Sequence, residues 1–124
     1  MQILVVEDQD SIRSLIEALV SARGHKVVPV ASGAKALEAA FQTPPDLVLL
    51  DLHLPGHYDG FAVCERLRAN AATKSVPVVI ISARDDAAAR ARATEVGATA
   101  FYGKPFSPTA LLKEIERLGR ATKA

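Results

Sequence analysis

Five short apolar runs punctuate this chain, and stretches of helical periodicity lie between them. Ile3-Leu4-Val5-Val6, Leu47-Val48-Leu49-Leu50 and Val78-Val79-Ile80-Ile81 show no polar alternation. Unbroken runs of that length read as strands buried on both faces, the pattern of a parallel sheet covered by helices. Five repetitions of the unit predict a (βα)5 arrangement: an α/β fold with a doubly wound, five-stranded parallel sheet.

The first strand spans Gln2–Val6. The helix after it runs from about Ser11 to Arg23, with Asp10 expected as its N-cap and Gly24 as its stop. Ile12, Leu15, Ile16, Leu19 and Val20 fall at i, i+3, i+4, i+7 and i+8, which is one helical face. The second strand, Lys26–Val30, contains Pro29, and a residue without an N–H belongs at a sheet edge. Helices are expected at 34–42, 60–69, 86–96 and 108–119, the last with Ser107 as cap and proline in its first turn. The remaining strands are expected at 46–51, 76–82 and 99–103. With strand two at an edge, the simplest doubly wound order is 2-1-3-4-5, a flavodoxin-like sheet.

A chain of 124 residues with 49% hydrophobic and 23% charged residues suits one domain, 1–124, with a single good core. The net charge of +1 and the scattered Lys and Arg give no electrostatic case for nucleic-acid or membrane binding. Cys64 is the only cysteine, so no internal disulfide can form. It lies three residues from Phe61 and from Leu67, and is expected to pack on the sheet as a small hydrophobe. No apolar run reaches membrane-spanning length, and no signal peptide is expected, since the first strand follows Met1 at once. A cytoplasmic domain is expected.

The chemistry lies where the runs end. Glu7-Asp8 close the first and Asp51 closes the third, so both deliver acid to the carboxyl edge, where open α/β sheets place their sites. Three carboxylates there repel one another unless a cation sits among them. The first strand–helix turn, Glu7-Asp8-Gln9-Asp10, lacks the glycines with which backbone amides cradle a phosphate. It suits Mg²⁺ instead, which takes oxygen ligands and is held by one or two carboxylates plus phosphate; Mn²⁺ is a substitute. Ser82 ends the fourth strand and Lys104 follows the fifth. Singly, each is an ordinary boundary residue. Together they offer a hydroxyl and a cation opposite the metal, around a phosphoryl group on Asp51.

Over essentially its full length the chain resembles the receiver domain of two-component response regulators, of the single-domain chemotaxis-receiver type. The resemblance rests on Val5-Val6-Glu7-Asp8, Leu49-Leu50-Asp51-Leu52, Leu54-Pro55-Gly56, Asp59-Gly60-Phe61, Ile81-Ser82-Ala83, Gly97-Ala98 and Lys104-Pro105-Phe106. It implies that Asp51 is the phosphoacceptor, taking its group from a phosphohistidine on a sensor histidine kinase or phosphotransfer protein. It implies that Glu7 and Asp8 position Mg²⁺ with Asp51, and that the main-chain carbonyl of His53 is a further ligand. Ser82 would be the switch hydroxyl, Lys104 the phosphate-contacting cation and Phe101 the switch aromatic. Lys104-Pro105 is expected to be cis. Helix four, strand five and helix five would present a changed surface to a downstream protein or output domain.

One departure stands out. The segment 52–60 holds one residue more than the common pattern, placed near His57-Tyr58. His53 and His57 are four apart, but Pro55-Gly56 break any helix between them, so they read as solvated loop histidines. His53 and Arg84 lie two residues after Asp51 and Ser82, positions that flank the phosphoryl group in the family and influence its lifetime. Arg84 is expected to contact that group or an acid of the cluster, against the alternative of a solvated arginine. Helix four is alanine-rich and is expected to be held weakly. Two other functions compete. A phosphatase of the haloacid-dehalogenase kind would need Asp-x-Asp, and here His53 stands at the second acid. A scaffold that is never phosphorylated sits poorly with a complete Glu7, Asp8, Asp51, Ser82 and Lys104 set. The reading is a signalling switch, with no turnover of an external substrate. The chain stops about where a receiver ends, so it is expected to be a stand-alone regulator or a piece of a longer one.

Overall fold

The parity of the apolar runs sets the architecture. In the computed structural model, which describes residues 1–123, the even-numbered Leu4, Val6, Val48, Leu50, Val78 and Ile80 point into one buried layer. The odd-numbered Ile3, Val5, Leu47, Leu49, Val79 and Ile81 point into the other. The elements are β1 (Gln2–Val6), α1 (Asp10–Ser21), β2 (Lys26–Val30), α2 (Gly33–Gln42), β3 (Leu47–Leu50), α3 (Gly60–Ala69), β4 (Val78–Ser82), α4 (Ala87–Glu95), β5 (Ala100–Gly103) and α5 (Pro108–Lys123). The strands form one parallel sheet in the order β2-β1-β3-β4-β5. Helices α2, α3 and α4 cover the even face through Ala36, Leu37, Val63, Leu67, Ala89 and Ala93. Helices α1 and α5 cover the odd face through Ile16, Val20, Leu111, Ile115 and Leu118. A fully buried Leu, Ile or Val contributes about 1.5–3 kcal/mol, so the two layers dominate the stability.

Edge placement of β2 follows from Pro29. The Lys26 N–H donates to Met1 O and Val30 O accepts from Glu7 N–H, so even positions of β2 face β1. Pro29 faces outward, where a missing donor costs nothing.

Several boundaries differ from the sequence reading, each for a local reason. Asp10 is the first residue of α1 rather than its cap: its carboxylate pairs with Arg13 at 2.5 Å, and Gln9 caps with no side-chain bond. The helix closes at Ala22, two residues early, and Gly24 turns the chain at φ +86°. Leu15, on the apolar stripe, is 50% exposed. β4 begins at Val78 because Val76 is still in a turn, with its N–H on Thr73 O, and Pro77 has no N–H. β3 is shorter by Asp46, whose carboxylate takes the Gln2 N–H at 2.8 Å, and by Asp51. α4 lies inside 86–96, with Asp86 as its cap accepting from Ala89 N–H; that bond, then Arg84, holds the Asp86 carboxyl below its ordinary value. α5 continues past Gly119, against which the Met1 side chain packs, to Lys123. Ser107 caps it as expected, accepting from Ala110 N–H at 3.2 Å.

Two loops are held by features with no periodic signal. Arg68, late in α3, donates to Val76 O at 2.6 Å, to Gly97 O at 2.9 Å and to Lys74 O at 3.2 Å, tying the loops before β4 and β5 together. The 52–60 loop passes so close to α2 that a Cβ at Gly33 would strike the Tyr58 main chain, and Arg66 lies over the Tyr58 ring at 5.2 Å. Cys64 is buried, with its Sγ on Val96 O at 3.4 Å, and burial pushes its thiol pKa up.

Within α4 only Ala89 and Ala93 are buried, and alanine brings little apolar area. Amide hydrogen exchange is therefore expected to be faster in α4 than in β1 and β3, through local opening well below the global unfolding free energy. Equal protection, read by mass spectrometry or NMR, would contradict a weakly held α4.

Candidate functional site

The parity that sorts the core also sorts the site. The ladder continues one residue past the strand ends: Asp51 N–H donates to Val6 O, and Lys104 N–H to Ser82 O at 2.8 Å. Glu7 and Asp51 follow the odd face of β1 and β3. Lys104 follows Ala100 and Tyr102, which pack in that same layer. Ser82 and Phe101 belong to the even face, Phe101 packing with the layer of Ile80, its register partner.

The three odd-face residues meet. Lys104 Nζ lies 2.6 Å from Glu7 Oε1 and 3.4 Å from Asp51 Oδ2. Glu7 is 2% exposed and Asp51 5%, so their charges are nearly out of water and the ammonium is their counter-charge. The second Glu7 oxygen accepts from Gln9 N–H at 3.1 Å, and Asp51 Oδ1 accepts from His53 N–H at 3.3 Å. Burial pushes the Glu7 carboxyl above its ordinary value of 4.5, and the Asp51 charge adds to this. Lys104 and the Gln9 N–H pull the other way and are outweighed.

Asp8 completes the corner. Carboxylate oxygens of Glu7, Asp8 and Asp51 lie within 4.8 Å of one another, and Asp8 is exposed. Among the described residues, no hydrogen bond or ion pair reaches the Asp8 carboxylate. Three convergent carboxylates, one of them free and facing solvent, are a donor set suited to a hard divalent cation. Asp8 opens onto a cleft of about 460 Å³, lined also by Leu52, His53, Asp59, Phe61 and Arg84. Gly60 backs the corner: a Cβ there would strike the Asp51 carbonyl and Leu52, so this close approach requires glycine.

The even-face residues stand beside the corner. Ser82 is fully buried, and its Oγ accepts from Arg84 N–H at 3.0 Å. Phe101 is half-buried beneath the Arg90 guanidinium, 4.7 Å from the ring centre, and Arg90 is anchored on Asp85 at 2.5 Å. Arg84 is part-exposed at the cleft. Its guanidinium pairs with Asp86 at 3.1 Å and with no acid of the cluster, because its own loop offers the nearer carboxylate. His53 and His57 are exposed. The Lys104-Pro105 peptide is cis. Arg13 was not singled out in the sequence, yet it donates to the main-chain carbonyls of Glu7 and Asp8. Its i,i+3 spacing from Asp10 was the available signal.

A flavodoxin-like sheet with three convergent carboxylates and a partly buried lysine at its carboxyl edge places its polar cluster where open α/β folds bind their ligands. The chain belongs to the response regulator receiver domain family, whose model matches residues 3–116. It is thus a receiver domain of the two-component response regulator type. It is 37% identical over 118 residues to the transcriptional regulatory protein GltR of Pseudomonas aeruginosa, covering 95% of this chain and 48% of that one. The chain spans about half the length of the first curated relatives it matches. Chemotaxis protein CheY4 of Vibrio cholerae superposes with a TM-score of 0.88 at 28% identity, covering 94% and 97% of the two chains. The receiver domain of the sensor histidine kinase PA1611 of Pseudomonas aeruginosa, solved with magnesium in its active-site cleft, gives 0.87 at 29%, covering 95% and 97%. Among the described residues, no helix is long and apolar enough to cross a membrane.

A carboxyl whose pKa is raised on folding favours the folded state below its unfolded value, and that contribution is lost as pH rises through the folded pKa. Glu7→Gln is therefore expected to gain stability relative to wild type as pH rises from 4.5 toward neutrality. Urea unfolding of both proteins across that range checks it. A constant difference would show that burial does not act on Glu7 ionisation.

Proposed function

We propose that this chain is a phosphoacceptor switch that takes a phosphoryl group from a phosphohistidine onto Asp51 in a Mg²⁺-dependent reaction. The donor is a sensor histidine kinase or a phosphotransfer protein. The observation that carries the reading is the Lys104 ammonium set between the buried Glu7 and Asp51 carboxylates, beside a free Asp8.

Asp8 and Asp51 would hold Mg²⁺, with Glu7 behind them and the His53 main-chain carbonyl as a further ligand; Mn²⁺ would substitute. When bound, the ion supplies charge neutralisation for the phosphoryl oxygens. An Asp51 carboxylate oxygen attacks phosphorus in line, the P–N bond breaks, and its electron pair returns to the imidazole, which takes up a proton. Lys104 neutralises a phosphoryl oxygen, exchanging part of its contact with Glu7 and Asp51 for the new charge. The product is an acyl phosphate that adds up to two negative charges at the strand edge.

Ser82 then turns its hydroxyl from the Arg84 N–H toward a phosphoryl oxygen. Phe101, on the same face of the sheet, moves into the vacated space, and α4, β5 and α5 change their surface. His53 and Arg84, which line the cleft, would modulate the lifetime of the acyl phosphate. The weak burial of α4 supports a moving element. Output passes to a partner protein or an output domain; the domain turns over no external substrate, contacts neither nucleic acid nor membrane itself, and acts in the cytoplasm as one unit, 1–124.

Asp51→Asn is expected to abolish labelling by a phosphodonor in Mg²⁺, read as the mass gain of the intact protein. Undiminished acyl phosphate in that variant would sink the assignment. Mg²⁺ is expected to raise the unfolding temperature of wild type, and Asp8→Asn to remove most of the rise. A rise of equal size in both would exclude Asp8 as a ligand.

A further inference from the structure

The turn after β1 presents a backbone question before a chemical one. Glu7 N–H still bonds Val30 O, the last link of the ladder to β2. Beyond it the chain leaves the sheet, so the carbonyls of Glu7 and Asp8 have no strand partner there. Both are taken by one side chain from α1: Arg13 Nη1 donates to Glu7 O at 2.9 Å and to Asp8 O at 3.4 Å. Its other nitrogen, Nη2, is fixed on Asp10 Oδ1 at 2.5 Å, and Arg13 is only 22% exposed. A planar guanidinium held at both ends restricts the peptides it bonds.

Each acid of the corner is guided differently. Both Glu7 oxygens are bonded, to Lys104 and to Gln9 N–H, and Asp51 is bonded to His53 N–H and faces Lys104. The Asp8 carboxylate has no such bond among the described residues, so the held part of Asp8 is its main chain, which sets where the side chain starts. Arg13 bonds the carbonyls of both peptides that flank the Asp8 Cα, and Glu7 takes the Gln9 N–H of the second.

We infer that Arg13 is a positioning residue for the divalent-cation site: by holding the Glu7 and Asp8 carbonyls it aims the free Asp8 carboxylate at the corner it shares with Asp51. The inference rests on the metal reading proposed above and extends it to a cation bonded to the turn's main chain. Charge alone predicts the opposite sign. A positive group near a cation site weakens cation binding, so its removal would tighten Mg²⁺ if Arg13 acted only through its field. If it acts by holding the turn, its removal weakens Mg²⁺, as loss of groups that orient metal ligands does in general.

Calorimetric titration of Mg²⁺ into the full chain separates the two. Arg13→Ala is expected to weaken Mg²⁺ about tenfold. Arg13→Lys, which keeps the charge but lacks the fork that spans both carbonyls and Asp10, is expected to weaken it as well. The unfolding temperature without Mg²⁺ verifies that each variant is folded, and Arg13→Lys carries the test should Arg13→Ala fail to fold. Tighter binding in Arg13→Ala with wild-type binding in Arg13→Lys would overturn the inference in favour of a field effect. Wild-type affinity in both would overturn it outright, leaving the proposed function intact. Absence of Mg²⁺ binding by wild type would overturn the metal reading and this inference together.

Discussion

The three central strands are buried on both faces, and that constraint shapes everything else in the molecule. From Ile3 to Val6, and throughout β3 and β4, every residue is buried, so a charge inside the sheet would have no partner and no water. Polar chemistry emerges only where the strands stop. Because the strands are parallel and adjacent, their carboxyl ends stop together, and Glu7, Asp51, Ser82 and Lys104 arrive along one edge from four strands that pair side by side.

At that edge the sheet imposes a second sorting. Glu7, Asp51 and Lys104 share the odd face and meet as an ion cluster, whereas Ser82 and Phe101 share the even face. The proposed phosphoryl chemistry and its proposed readout thus lie on opposite faces of the strand ends. The cluster stores an electrostatic cost: burial raises the Glu7 pKa even with Lys104 in contact, and Asp51 raises it further. A further cation among these carboxylates would offset that cost, which supports the proposed metal.

Much of this was legible beforehand because it depends on sequence-local signals. Apolar runs marked the strands, Pro29 marked the edge and Ser107 marked a cap. Some element ends differ because a side chain found a nearer partner: Asp10 took Arg13 and Asp46 took the Gln2 N–H. Arg13 and Arg68 were not singled out for the same reason. Both act by donating to main-chain carbonyls of turns, and a carbonyl carries no trace in the residue type that bears it.

By itself the sequence determined which residues could carry the chemistry and the edge at which they would appear. Apolar period and strand-ending acids are properties of the chain read in order. Tertiary structure decided which of those residues touch. Lys104 is 97 residues from Glu7, and only pairing of β1, β3, β4 and β5 in one register brings its ammonium within 2.6 Å. It also decided the charge environment, since desolvation of Glu7 and Asp51 arises from two helical layers closing over strand ends that are apolar on both sides.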